Sequence, residues 1–199
     1  MEKENSTLKL LDAGGIFRAR DFARAGYSSS KIQNAQKSGA IIRLGRGLYV
    51  SSRRKSTSQD YLAEIAIKYP RSVFCLLTAL QIHDITTQSP HEVWVAIDNK
   101  AREPSIDYPP LRIVRFSGSA LTEGIEQKSI DGVVQIPVTS VAKTIADCFK
   151  YRNKIGLDVA MEALRDAWRQ KKVTMDELWE AAEICRMTNV MRPYLESLS

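Results

Sequence analysis

From Gly26 to Val50 the chain reads GYSSSKIQNAQKSGAIIRLGRGLYV, and few folds accommodate such a stretch. Past Tyr27, the only apolar residues before Gly39 are Ile32 and Ala35. Their three-residue spacing predicts a helix with one narrow inward stripe. Ser28 or Ser29 suits its N-cap, and the helix runs to about Ser38 before Gly39 ends it. Ile41 to Leu44 reads as a strand from its β-branched content, Gly45-Arg46-Gly47 as a turn, and Leu48 to Val50 as the returning strand. Upstream, Leu8, Leu10 and Leu11 open a short helix that stops at Gly14-Gly15, and Arg18 to Ala25 forms a second, anchored by Phe22. Helix, helix, helix, hairpin is the order of a winged helix-turn-helix. Its small core is expected from Leu8, Leu11, Phe22, Ile32, Leu44 and Leu48.

Charge separates this segment from the rest. Residues 1–57 carry twelve Lys/Arg against four Asp/Glu, a balance of +8, whereas residues 58–199 carry seventeen against nineteen, a balance of −2; together they make the chain's +6. All the excess positive charge lies in the first quarter, so a basic module that meets a polyanion (1–57) precedes a near-neutral domain with another task (58–199).

In a helix-turn-helix the second helix lies in the major groove and the helix before it touches the backbone. Gln33 and Asn34 suit adenine, and Lys31 and Lys37 suit guanine or phosphate. Ser28, Ser29 and Ser30, with the helix N-terminus, suit phosphate oxygens. Arg46, between two glycines at the hairpin tip, is placed for a minor groove or the backbone. Arg18, Arg20, Arg43, Arg53, Arg54 and Lys55 complete the expected DNA-binding set.

The larger part reads as an α+β domain with a small sheet and a helical C-terminal end. Gln59 to Tyr69 is a helix with Leu62, Ile65, Ala66 and Tyr69 on one face. Val73 to His83, apolar almost throughout, reads as a buried helix. Val93–Ile97 and Leu111–Phe116 read as strands, and Ile125–Ile130 with Val133–Val138 flank a hairpin at Asp131-Gly132. Three amphipathic helices follow, lined by Ala142, Ile145, Ala146 and Phe149; by Leu157, Met161, Leu164 and Trp168; and by Met175, Leu178, Ala182 and Cys185. The last opens on a Thr174/Glu177 capping box, and a short helix from Met191 to Leu198 ends the chain. Cys75, Cys148 and Cys185, widely spaced in apolar contexts, read as buried thiols in a reducing cytoplasm. With two histidines and no CxxC pair, nothing points to zinc or any other cofactor. No run is apolar enough to span a bilayer, and the N-terminus lacks signal-peptide blocks.

GGIFRARDFARAG, RLGRGLYV, TTQSPHEVWVAID, DCFKYRNKIGLDVAMEALRDAW and ICRMTNVMRPYLE together resemble the AbiEi family, the antitoxins of bacterial abortive-infection, type IV toxin–antitoxin systems of phage defence. The resemblance implies an N-terminal winged helix that represses its own operon by binding inverted repeats in double-stranded promoter DNA. It also implies a C-terminal domain that opposes a co-encoded nucleotidyltransferase toxin without a stable complex. A monomer in solution, cooperative on DNA, is the expected state.

Enzyme readings are weaker. The toxin's own signature, a Gly-Ser pair before two close carboxylates, is missing, since Asp131, the aspartate that follows Gly118-Ser119, stands without a paired carboxylate beside it. The alternative is a metal-dependent nuclease, or a general DNA-binding regulator, with Asp84, Asp98 and Lys100 in a carboxylate…carboxylate-x-lysine arrangement; Asp98-Asn99-Lys100 is equally an ordinary turn. His83 and His91 read as structural. Lys143, Lys150, Arg152 and Lys154 gather positive charge near a helix end. They complement either the helix dipole or a nucleic acid in the antitoxic role.

Overall fold

The computed structural model describes residues 16–45, 47–52 and 58–198. The chain forms two compact units, one comprising residues 1–70 with 128–136, the other residues 71–127 with 137–199.

In the first unit, β1 (Ile16–Arg18), α1 (Ala19–Arg24) and α2 (Ser29–Lys37) are followed by β2 (Ile41–Gly45) and β3 (Leu48–Ser51). The strands form an antiparallel sheet in the order β1-β3-β2, with Val50 opposite Ile16 on one side and Ile42 on the other. The order from Ile16 onward is that of a winged helix-turn-helix, with β1 as an added third strand. The expected helix at Leu8–Leu11 lies outside the described residues. Phe22, Ile32 and Ile41 are the buried core, covered by Phe17, Tyr27, Ala35 and Tyr49. The Phe22 ring meets those of Phe17, Tyr27 and Tyr49 edge-on at 5.8, 6.0 and 5.6 Å, the arrangement that ring quadrupoles favour. Aromatic area thus takes the place expected for Leu44 and Leu48, while Leu8 and Leu11 lie outside the described residues. Leu44 and Leu48 are only half-buried, and Ile41 is 2% exposed while its neighbour Ile42 is 53% exposed, as strand alternation requires.

The boundary expected at residue 57 moves. α3 (Ser58–Lys68) stays with the first unit because it packs on β2 at Gly45. A Cβ built on Gly45 would lie 2.3 Å from Ile67 Cγ2, so only glycine permits this approach. The inward face of α3 is Leu62, Ala63, Ile65 and Ala66; Tyr69 is half-buried.

The second sheet has the order β6-β5-β4-β8-β7, built from β4 (Val73–Phe74), β5 (Val93–Asp98), β6 (Leu111–Phe116), β7 (Ile125–Ile130) and β8 (Val134–Thr139). Val73–His83 is therefore not one helix. It begins as a two-residue central strand, antiparallel to β5 and parallel to β8, before α4 (Leu76–Ile82). A central strand is buried on both faces, so its apolar run has no alternation to distinguish it from helix. The Asp131-Gly132 hairpin stands as expected. Both residues have positive φ (51° and 66°) and Val133 N donates to the Ile130 carbonyl at 3.0 Å, a type I′ turn.

Two short helices, α5 (Ser119–Thr122) and α7 (Arg152–Ile155), add to those that periodicity predicts, which are α6 (Val141–Lys150), α8 (Leu157–Arg169), α9 (Met175–Cys185) and α10 (Thr188–Glu196). Ala142, Ile145, Ala146 and Phe149 are buried as expected. The α8 stripe differs. Val159, Ala160, Ala163, Leu164 and Ala167 face the core, while Leu157 is 39% exposed and Met161 and Trp168 are half-buried. Small residues let α8 approach its neighbours closely, and the bulkier side chains rotate to the margin. The capping box of α9 is formed: Thr174 N donates to Glu177 Oε2 at 2.7 Å, and Glu177 N to Thr174 Oγ1 at 3.3 Å. All three cysteines are buried and free. Among the described residues no helix is long and apolar enough to cross a membrane.

Candidate nucleic-acid interface

The α2 helix presents an almost wholly polar exposed surface. Ser28 is its N-cap, in extended backbone, with its hydroxyl accepting from Lys31 N at 3.4 Å and 2.9 Å from Ser30 Oγ. Ile32 and half-buried Ala35 hold the helix to the core. Everything else on it is exposed: Ser29, Ser30, Lys31, Gln33, Asn34, Gln36 and Lys37. Ser30, Gln33, Asn34 and Lys37 recur at i, i+3, i+4 and i+7, which places them in one stripe. That stripe lies opposite Ile32 and Ala35. Among the described residues the Gln33 and Asn34 side chains make no hydrogen bond. Lys31 stands off the stripe, its Nζ 6.0 Å from the centre of the Tyr27 ring. Gln36, absent from the expected set, flanks the stripe on its other side; its polarity among Gln33, Asn34 and Lys37 was the available signal.

The other expected contacts divide. Arg20 and Arg43 are exposed, with Arg43 Nε bonded to the Gly45 carbonyl at 3.0 Å on the β2 side of the hairpin. Arg18 is a correction. It is half-buried, its backbone N donates to Asp21 Oδ2 at 2.7 Å, and its guanidinium donates to the Val133 carbonyl, so it organises the start of α1 instead of standing free for phosphate. Arg46, Arg53, Arg54 and Lys55 lie outside the described residues.

In the second unit the expected basic patch loses its first member. Lys143 is completely buried, its Nζ 2.6 Å from Asp147 Oδ2 and 4.6 Å from the centre of the Phe116 ring. The i, i+4 spacing of Lys143 and Asp147 on an apolar helix was the sequence signal for this pair. Cys185 Sγ donates to Asp147 Oδ1 at 3.2 Å. Burial pushes the Asp147 carboxyl up, against the pull of Lys143, and burial likewise raises the Cys185 thiol to about 12. Lys150 and Lys154 are exposed. Arg152 is half-buried and donates to the Phe149 carbonyl at 2.8 Å, satisfying the end of α6. That bond is the helix-end arrangement.

For the nuclease alternative, Asp98 Oδ1 accepts from Lys100 N at 2.8 Å, an Asx turn after β5, and Asp84 is an exposed residue in left-handed backbone after α4. Among the described residues no three His, Cys, Asp or Glu side chains gather to hold a metal ion. His83 is 4% exposed, with Nε2 2.7 Å from the Thr139 carbonyl, a structural placement; His91 is exposed.

Residues 6–52 match the profile of a family described as transcriptional regulator, AbiEi antitoxin. No curated protein matches the chain. Among solved structures, the RV2827C protein from Mycobacterium tuberculosis is similar in fold, with a TM-score of 0.54 at 12% identity, over 92% of this chain and 72% of that one. The likeness in fold therefore extends through both units, while the family match covers the winged helix.

Proposed function

We propose, from an N-terminal segment that belongs to the AbiEi antitoxin transcriptional regulators, that this chain represses its own operon by placing α2 in the major groove of inverted repeats in that promoter. The C-terminal unit opposes a co-encoded nucleotidyltransferase toxin without forming a stable complex with it, and the chain is a monomer in solution that binds DNA cooperatively. One observation carries the DNA half of this reading. A helix held by Ile32 and Ala35 turns a stripe of hydroxyl, amide and ammonium groups away from its core. In a helix-turn-helix that outward face is the one that meets base edges, while Arg20 and Arg43 on neighbouring elements are suited to phosphates, as are Arg46, Arg53, Arg54 and Lys55 of the sequence reading.

The antitoxic half rests on the family and on a second unit with its own core, in which Lys150 and Lys154 are the exposed cations of the expected patch. Two measurements on the full chain test the proposal. Mobility shifts on the protein's own promoter should show binding that weakens steeply with salt, because phosphate neutralisation releases counterions. With toxin and antitoxin expressed from foreign promoters, a Gln33→Ala/Asn34→Ala double variant should lose operator binding yet still restore growth. If loss of DNA binding abolished rescue although the toxin's promoter carries no operator, antitoxicity would depend on the α2 surface and the role given to the second unit would fail.

A further inference from the structure

The composition of the α2 stripe specifies what it reads. Ser and Asn are poor helix formers, costing up to about 0.7 kcal/mol each relative to Ala. On a nine-residue helix with an exposed face, Glu, Lys or Ala would serve folding better. Ser30 and Asn34 nevertheless occupy that face, and neither Gln33 nor Asn34 has a hydrogen-bond partner among the described residues. The Gln33 and Asn34 amides thus make no bond that supports the helix, so their use lies in what the face meets.

In the major groove a carboxamide matches adenine, donating to N7 and accepting from the N6 amino group, whereas guanine calls for Arg or Lys. The stripe's reading positions, Ser30 in the first turn and Gln33 and Asn34 in the second, contain no cation. Its single ammonium, Lys37, is in the last turn, where a recognition helix leaves the base edges and nears the backbone. Lys31 is drawn aside over Tyr27. The structure thus sorts the helix into uncharged readers and charged flanks.

We infer that α2 reads A·T pairs, with the Gln33 and Asn34 amides each engaging the N6/N7 edge of an adenine in the half-site and Lys31 and Lys37 confined to phosphates. This rests on the proposal that α2 enters the major groove, and the experiment separates the two. Duplexes bound by the full-length protein are selected from a randomised pool, and 7-deazaadenine, which lacks the N7 acceptor, is then placed at each selected adenine. Replacement at the read positions should weaken binding to the wild-type protein by roughly 5- to 150-fold. The same replacement should have no further effect on the Asn34→Ala or Gln33→Ala variant at the adenine which that residue reads. Because the modified base leaves the protein untouched, misfolding cannot mimic the result. A selected site read through G·C pairs, or one indifferent to 7-deazaadenine, overturns the adenine assignment and leaves DNA recognition by α2 standing. Failure to bind any duplex overturns both.

Discussion

Lys143 Nζ stands 2.6 Å from Asp147 Oδ2 across one turn of α6, and neither side chain is open to solvent. Two opposite charges in such a place gain little net stability, because desolvation offsets their attraction, but either one alone is costly. Lys143→Met should therefore cost about 3–5 kcal/mol in urea unfolding, since it strands the Asp147 carboxylate, whereas Lys143→Met/Asp147→Leu should recover most of the loss. A single variant as stable as wild type would mean that the pair is not formed. In that case Lys143 would return to the surface patch.

Gly45→Ala should destabilise the first unit. The new methyl meets Ile67 Cγ2 at 2.3 Å, and the helix or the strand must shift. Overpacking of this kind costs about 1–3 kcal/mol. Thermal unfolding of Gly45→Ala beside Gly45→Ala/Ile67→Ala checks the cause: the truncation should relieve part of the loss, and a double variant worse by the sum of its parts would place the strain elsewhere.

Glu162 supplies a pH-dependent contact. Its Oε1 accepts from Thr87 N at 2.6 Å and from Thr87 Oγ1 at 2.8 Å, and the backbone bond above all holds its carboxyl below the usual glutamate range. A depressed folded-state pKa contributes stability that is present above the unfolded value and lost as pH falls through the folded one. Glu162→Gln should consequently be less stable than wild type near pH 7, by no more than about 1 kcal/mol at so solvent-screened a site, with the gap closing in acid. A gap that widened as the pH fell would contradict the assignment.

Lys31→Ala and Lys37→Ala should act on grip and not on choice. Removing a cation that neutralises one phosphate should reduce the log–log salt slope of DNA binding by about 0.9, with equal weakening on operator and random duplex. A change of sequence preference in either variant would place that lysine on a base instead.

The winged helix was largely legible before any coordinates, because its signals are local. Gly26 and Gly39 bound a helix whose apolar residues can only be Ile32 and Ala35, and a β-branched strand from Ile41 pairs with its return from Leu48. Spacing along one helix also decides which polar residues share a face, so Gln33 and Asn34 could be placed together on the exposed side from the sequence. The Thr174/Glu177 cap and the Asp131-Gly132 turn were open to the same reading, since each depends on residues within a few positions of one another.

Interactions between residues distant in sequence decided the rest. Lys143 looked like surface charge; that it is enclosed depends on Phe116 and Cys185 arriving from other elements. Arg18 looked like a phosphate ligand until Val133, more than a hundred positions away, took its guanidinium. Val73-Phe74 could not declare itself a strand, because its hydrogen-bond partners lie on β5 and β8 and its burial on both faces removes the alternation that marks a strand. Whether α3 belonged to the first unit turned on Gly45 and Ile67 meeting in space. Periodicity and capping depend on neighbours along the chain and can be read there, whereas burial and the pairing of charges depend on what the fold brings alongside.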